Sequence, residues 1–179
     1  VLADLLESKV LSSISLKEVY RQKDGSKIIE LAHQIKNNQL KLDMLTKAKD
    51  FNFFNCPDYQ VVDVVTQIVK KAYDKGVDQR QIQVLAPMYR SKAGIHQLNE
   101  EIQAIVNPRE PGKREMKFGN QTFRKGDKVI QLVNQPEDGV FNGDIGEVVA
   151  IFEKDETTEQ EEQVVVAFDD REVPYAKTD

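Results

Sequence analysis

Apolar positions along the first hundred or so residues recur mostly at helical spacing, broken by short continuous apolar runs. Leu2, Leu5, Leu6 and Val10 mark a short helical stretch. Leu16 to Tyr20 is a short strand candidate. Asp24-Gly25-Ser26 is a turn, and Ser26 is a suitable N-cap for a helix through about Asn37 with Ile28, Ile29, Leu31, Ala32 and Ile35 on its apolar face. Phe51 to Cys56 is aromatic and strand-like. Pro57-Asp58 opens a helix carrying Val61, Val62, Val64, Val65, Ile68, Val69 and Ala72, and Lys75-Gly76 closes it. Ile82 to Ala86 reads as a buried strand stopped by Pro87, and Lys92 to Val106 as a third amphipathic helix.

The pattern changes after Pro108-Arg109-Glu110-Pro111-Gly112, and the Asn107–Gly112 linker leaves room for a hinge. Short apolar runs then alternate with turn signals at Gly119-Asn120, Asp138-Gly139, Asn142-Gly143 and Asp169-Asp170. Strands are expected at Glu115–Phe118, Asp127–Leu132, Gly146–Phe152, Gln163–Phe168 and Arg171–Pro174. The expected class is therefore α/β: a partial parallel sheet with flanking helices over 1–111, then a small β-barrel of SH3 or OB type over 112–179. Three short strands make an incomplete sheet, and the chain begins Val1-Leu2-Ala3-Asp4 without methionine. Both features are expected of a piece of a longer protein.

Composition narrows the functional classes. The 179 residues are 40% hydrophobic and 31% charged, with 25 basic against 30 acidic residues and a net charge of -5. That balance excludes a disordered chain and a polybasic coat for nucleic acid, so any nucleic-acid site must be local. Cys56 is the one cysteine and His33 and His96 the two histidines, which excludes an intrachain disulfide and a cysteine zinc cluster. A reducing, cytoplasmic compartment is the simplest expectation. No apolar run approaches a membrane span, so no membrane partner is expected.

Three clusters carry candidate chemistry. Tyr20-Arg21-Gln22 follows the first expected strand, where an arginine fork can meet a phosphate or simply cap a strand at the surface. Pro87-Met88-Tyr89-Arg90 follows the third expected strand and combines a stacking face with a cation, as single-stranded nucleic acid requires. An ordinary strand-to-helix loop with a packed tyrosine is the simpler account of these residues by themselves. Gly94-Ile95 and Leu98-Asn99 continue this cluster, and Asn99 and Gln103 share a helix face. Phe123-Arg124-Lys125-Gly126-Asp127-Lys128-Val129-Ile130-Gln131 and Phe141-Asn142-Gly143-Asp144-Ile145-Gly146 form the third cluster, whose glycines mainly shape turns. Basic residues gather between Lys113 and Lys128, acidic ones between Glu153 and Glu172. The chain contains no GxxxxGK[ST], GxSxG, HExxH or EF-hand loop.

In this order the clusters resemble the RecD-like branch of superfamily 1 DNA helicases, the exodeoxyribonuclease V alpha-subunit family. The matching residues are the opening Val1–Leu6, Tyr20-Arg21-Gln22, Val84–Arg90, Gly94-Ile95, Leu98-Asn99, Gly126–Gln131 and Phe141–Gly146. The resemblance implies part of a RecA-like second motor domain over 1–111 and its SH3-like insertion over 112–179, within an ATP-dependent helicase of DNA recombination and repair. The family's phosphate-binding loop, its magnesium-binding motif and its last two helicase motifs have no counterpart here. ATP and Mg2+ would then be held mainly by a first motor domain, and this chain alone would not hydrolyse ATP. Arg21 would reach the γ-phosphate, with Gln22 beside it. Pro87, Met88, Tyr89, Arg90 and Asn99 would line the path of single-stranded DNA. Arg124, Lys125, Lys128 and Asn142 would add a basic wall. The competing reading is a non-enzymatic nucleic-acid-binding or protein-interaction module built on the β-barrel.

Overall fold

The computed structural model describes residues 1–14 and 25–176, and the chain divides into two compact units, Val1–Asn55 and Cys56–Asp179. The first strand candidate, Leu16 to Tyr20, lies outside the described residues.

The regular elements of the first unit, among its described residues, are helical. Helix α1 spans Leu2–Ser8 and α2 spans Lys27–Lys36, followed by a single 3₁₀ turn at Leu42–Leu45. Ser26 occupies the N-cap of α2 as expected, but its hydroxyl donates to Asp50 Oδ2 at 2.7 Å rather than accepting from the helix backbone. Asp50 in turn accepts the Lys27 backbone N–H at 3.4 Å, so the carboxylate serves the cap. The Ser26 hydroxyl is the main cause that draws the Asp50 carboxyl below its ordinary range. Among the described residues of this unit Met44 is the buried apolar side chain, whereas Ile28 and Ile35 of α2 remain exposed.

The second unit holds α3 (Val61–Asp74), α4 (Ile95–Val106) and six strands. Both helices match their expected apolar periodicity. They pack together, and each buries one residue fully, Val69 on α3 and Leu98 on α4. Strand β1 (Glu115–Phe118) pairs antiparallel with β2 (Gln121–Arg124) through the Gly119-Asn120 turn. Strands β3 (Lys128–Ile130), β4 (Ile145–Phe152), β5 (Gln163–Phe168) and β6 (Arg171–Ala176) form an antiparallel sheet in chain order. A register shift between Val148 and Ala150 bends β4. The core cluster draws on both sheets: Met116, Val140, Val148, Ile151, Val164, Val166, Phe168 and Val173, with Phe123, Val129 and Tyr175 packed against it. Gly146 makes this packing possible, because a Cβ there would stand 2.5 Å from Val166 Cγ1 and 2.9 Å from the Ala167 carbonyl.

Two expectations are corrected. No parallel sheet is present among the described residues, where every strand pair is antiparallel. Phe51 to Cys56 and Ile82 to Ala86 form no ladder. A strand needs a neighbour to satisfy its backbone, and neither segment pairs with one among the described residues. Ile82 to Ala86 still alternates half-buried and exposed positions, with Leu85 87% exposed. The β-barrel is also open, being one two-stranded and one four-stranded sheet.

Candidate nucleic-acid interface

The segment from Pro87 to Ser91 is held in shape by the start of α4. Ile95 N–H donates to Met88 O at 2.9 Å and His96 N–H to Tyr89 O at 3.3 Å. Two of the free N–H groups at this helix end are thereby satisfied by the loop itself. Gly94 permits the close return, because a Cβ there would meet Tyr89 O at 2.7 Å and Ser91 N at 2.8 Å. Any side chain at 94 would displace the loop.

The loop turns its side chains outward. Met88 and Tyr89 are 57% and 60% exposed, and Pro87 and Arg90 are exposed too. The Tyr89 ring stands 6.1 Å from the His96 ring at a 49° tilt, which supports one side of the tyrosine and leaves most of it open. His96 Nδ1 is buried without a hydrogen-bond partner among the described residues. Asn99 is exposed one helical turn beyond His96 on the same face of α4. Pro87, Met88, Tyr89, Arg90 and Asn99 are therefore grouped around one end of α4. Gln103 leaves this group: its amide donates to Thr122 O at 2.8 Å and to Asp127 Oδ2 at 2.5 Å.

The basic wall is largely dismantled by internal contacts. Arg124 is 8% exposed, which removes it from the surface set. Its guanidinium binds Glu115 Oε1, through Nε at 2.6 Å and Nη2 at 2.5 Å, and donates to the Asn107 carbonyl. A buried arginine must be paired, and Glu115 lies directly opposite it across the β1–β2 hairpin. The Lys128 ammonium donates to Ile82 O at 2.8 Å, Gln83 Oε1 at 3.0 Å and Arg80 O at 3.3 Å. Burial lowers its affinity for the proton, partly offset by Asp78. Lys128 is thus a structural cation rather than a free one. Arg114 forms a two-pronged pair with Glu156, and Lys113 donates to Asn107 Oδ1 at 2.7 Å. Lys117 and Lys125 are exposed and lack a side-chain ion pair among the described residues. Asn142 is exposed as well; its backbone N–H donates to Asn134 Oδ1 at 2.8 Å.

Arg21 and Gln22 lie outside the described residues. Among the described residues no three His, Cys, Asp or Glu side chains converge on a cation site, and no helix is long and apolar enough to cross a membrane.

The geometry also brings forward residues that the sequence reading left out of any site. Asn107 and Asp127 stand at the join between α4 and the strands, and Asn107 is 6% exposed. Arg80 reaches Glu147 at 2.6 Å, and Gln79 donates to Gly126 O at 3.0 Å. The sequence signal was the Gly126-Asp127-Lys128 run itself, where Asp127 opened an expected strand and Lys128 was placed on the basic wall.

Comparison with known proteins agrees with the ordered motifs. Residues 98–168 match the family described as the ATP-dependent RecD-like DNA helicase SH3 domain. That match begins inside α4, so it includes Gln103 and Asn107. The chain is 30% identical over 137 residues to the ATP-dependent RecD2 DNA helicase of Deinococcus radiodurans, which covers 76% of this chain and 18% of that protein. A chain from a structure of two coordinating Pif1 helicases unwinding forked double-stranded DNA is also similar, at a TM-score of 0.44 and 18% identity. That alignment covers 89% of this chain and 32% of the other, and so distant a likeness adds nothing to the assignment. The first two matches show the likeness that the motifs carry: the chain resembles a RecD-like DNA helicase over three quarters of its length, with the family's SH3 domain at residues 98–168.

Proposed function

We propose that this chain supplies part of the single-stranded DNA path of an ATP-dependent RecD-like helicase acting in DNA recombination and repair, in the cytoplasm. Residues 1–111 correspond in this reading to part of the RecA-like second motor domain, and 112–179 to its SH3-like insertion. One observation carries the reading. Met88, Tyr89 and Arg90 project into solvent from a loop whose backbone is fixed to α4, beside the exposed Asn99. An aromatic face held open next to a cation is the arrangement that stacks a base while holding its phosphate. Lys125 and Asn142 add polar contacts on the SH3-like part, without Arg124 and Lys128.

Arg21 and Gln22 are assigned to the ATP cleft by the motif alone. A permanently charged guanidinium there would neutralise charge that develops on the γ-phosphate during transfer, with a first motor domain supplying the phosphate loop and Mg2+. ATP supplies the free energy of movement; this chain's residues hold the strand and complete one wall of the cleft. The test separates the two parts. This chain with ATP, Mg2+ and single-stranded DNA is expected to show no turnover above background. In a protein that also carries the first motor domain, Arg21→Ala is expected to lower hydrolysis on the order of 10³-fold while single-strand binding survives. Retained hydrolysis in that variant would remove Arg21 from the cleft.

A further inference from the structure

The Lys125-Gly126-Asp127-Lys128 turn is bonded both to the end of α4 and to the segment 79–83. On one side is the end of α4. Asp127 Oδ1 accepts the Asn107 amide at 2.7 Å, and Asp127 Oδ2 accepts the Gln103 amide at 2.5 Å and the Arg124 backbone N–H at 2.7 Å. Asn107 donates also to Lys125 O at 3.1 Å, and its own side-chain oxygen accepts Lys113 Nζ. On the other side is the segment 79–83. Gln79 donates to Gly126 O, Lys128 Nζ holds the carbonyls of Arg80 and Ile82, and Arg80 pairs with Glu147 on β4. The same turn is tied to the core, because Gly126 N–H donates to Val148 O at 2.7 Å and Val148 N–H to Asp127 O at 2.9 Å.

The two attachments flank the loop Pro87–Ser91: segment 79–83 leads into it, and α4 leads out of it. We propose that Asn107, Asp127 and Lys128 are positioning residues that lock the strand-facing loop to the SH3-like sheets, so that Tyr89 and the sheets meet single-stranded DNA as one rigid body. The assignment of DNA as the ligand rests on the reading above; the lock itself does not. Two surfaces held at a fixed spacing bind a polymer with a higher effective concentration than two tethered modules. The Asn107–Gly112 linker thereby ceases to be a hinge, because its first residue is buried and bonded from both its amide and its carbonyl.

The experiment reads a distance within this chain by pulsed electron resonance. Spin labels are attached through Glu100→Cys on α4 and Asp169→Cys at the β5–β6 turn, in a Cys56→Ser background. A single narrow distribution is expected, and it should broaden in Asn107→Ala/Asp127→Ala and in Lys128→Met. Asp127→Asn, which keeps an oxygen acceptor, should broaden it less. A broad distribution without the clamp substitutions would overturn the proposal whether or not any variant folds. An unbroadened distribution in a folded Asn107→Ala/Asp127→Ala chain would also overturn it. The second readout is affinity for a single-stranded oligonucleotide, which should fall on the order of tenfold in the loosened variants with an unchanged salt slope, since no phosphate contact is removed. Unchanged affinity in a loosened variant would refute the positioning role. Absence of DNA binding by the unsubstituted chain would refute the ligand and leave the distance result standing.

Discussion

Asn107 donates its side-chain amide to the Asp127 carboxylate at 2.7 Å, joining the residue that ends α4 to the turn that opens β3. Asp127 accepts three hydrogen bonds at this point, two from side-chain amides and one from the Arg124 backbone. Removing the carboxylate leaves those partly buried donors without an acceptor. Asp127→Ala is expected to lower unfolding free energy by about 3 kcal/mol, and Asp127→Asn by less. Urea denaturation of the two variants measures the difference.

Glu115 is the partner that makes a buried Arg124 tolerable. Glu115→Gln removes the countercharge and leaves the guanidinium enclosed. The expected cost is about 3 to 5 kcal/mol, seen as a fall in the denaturation midpoint. The salt slope of single-strand binding should not change, because Arg124 faces the interior.

Gly146→Ala places a methyl group within 2.5 Å of Val166 Cγ1. Neither β5 nor the core can yield without moving its neighbours. A loss of about 1 to 3 kcal/mol is expected from overpacking, measured by thermal unfolding.

Glu156 supplies a pH dependence. Its bonds to Arg114 are the main cause that brings its carboxyl from 4.5 to about 2 in the folded chain. A carboxyl lowered on folding stabilises the native state fully above its unfolded value, and that contribution is lost as pH falls through the folded value. The thermal midpoints of the unsubstituted chain and Glu156→Gln should therefore differ above pH 4.5 and converge as pH approaches about 2. A gap that persists in acid would show that the pair does not titrate in this way.

Much of the second unit was legible from hydrophobic spacing. α3 and α4 follow a helical period, and the continuous apolar run within Gln163–Phe168 became β5 with the expected bounds. Strand β2 was not foreseen, because Gln121-Thr122-Phe123-Arg124 carries a single apolar residue. That omission hid the fate of Arg124. Counting outward from the Gly119-Asn120 turn pairs Phe118 with Gln121 and Glu115 with Arg124, so the salt bridge follows once the hairpin is recognised. Ile82 to Ala86 has the composition of a strand, but a strand exists only with a neighbour, and sequence pattern does not supply one. Lys128 reads as a surface charge within a basic run. Its burial against the carbonyls of Arg80 and Ile82, more than forty residues earlier, depends on a long-range approach that no local period encodes.

Titration of a fluorescent single-stranded oligonucleotide with this chain, at several salt concentrations, tests the central claim most directly. The account predicts binding that weakens with salt, that falls by about 1 to 3 kcal/mol in Tyr89→Ala with its salt slope preserved, and that loses slope in Arg90→Gln. Binding indifferent to both substitutions, or no binding at low salt, would contradict it.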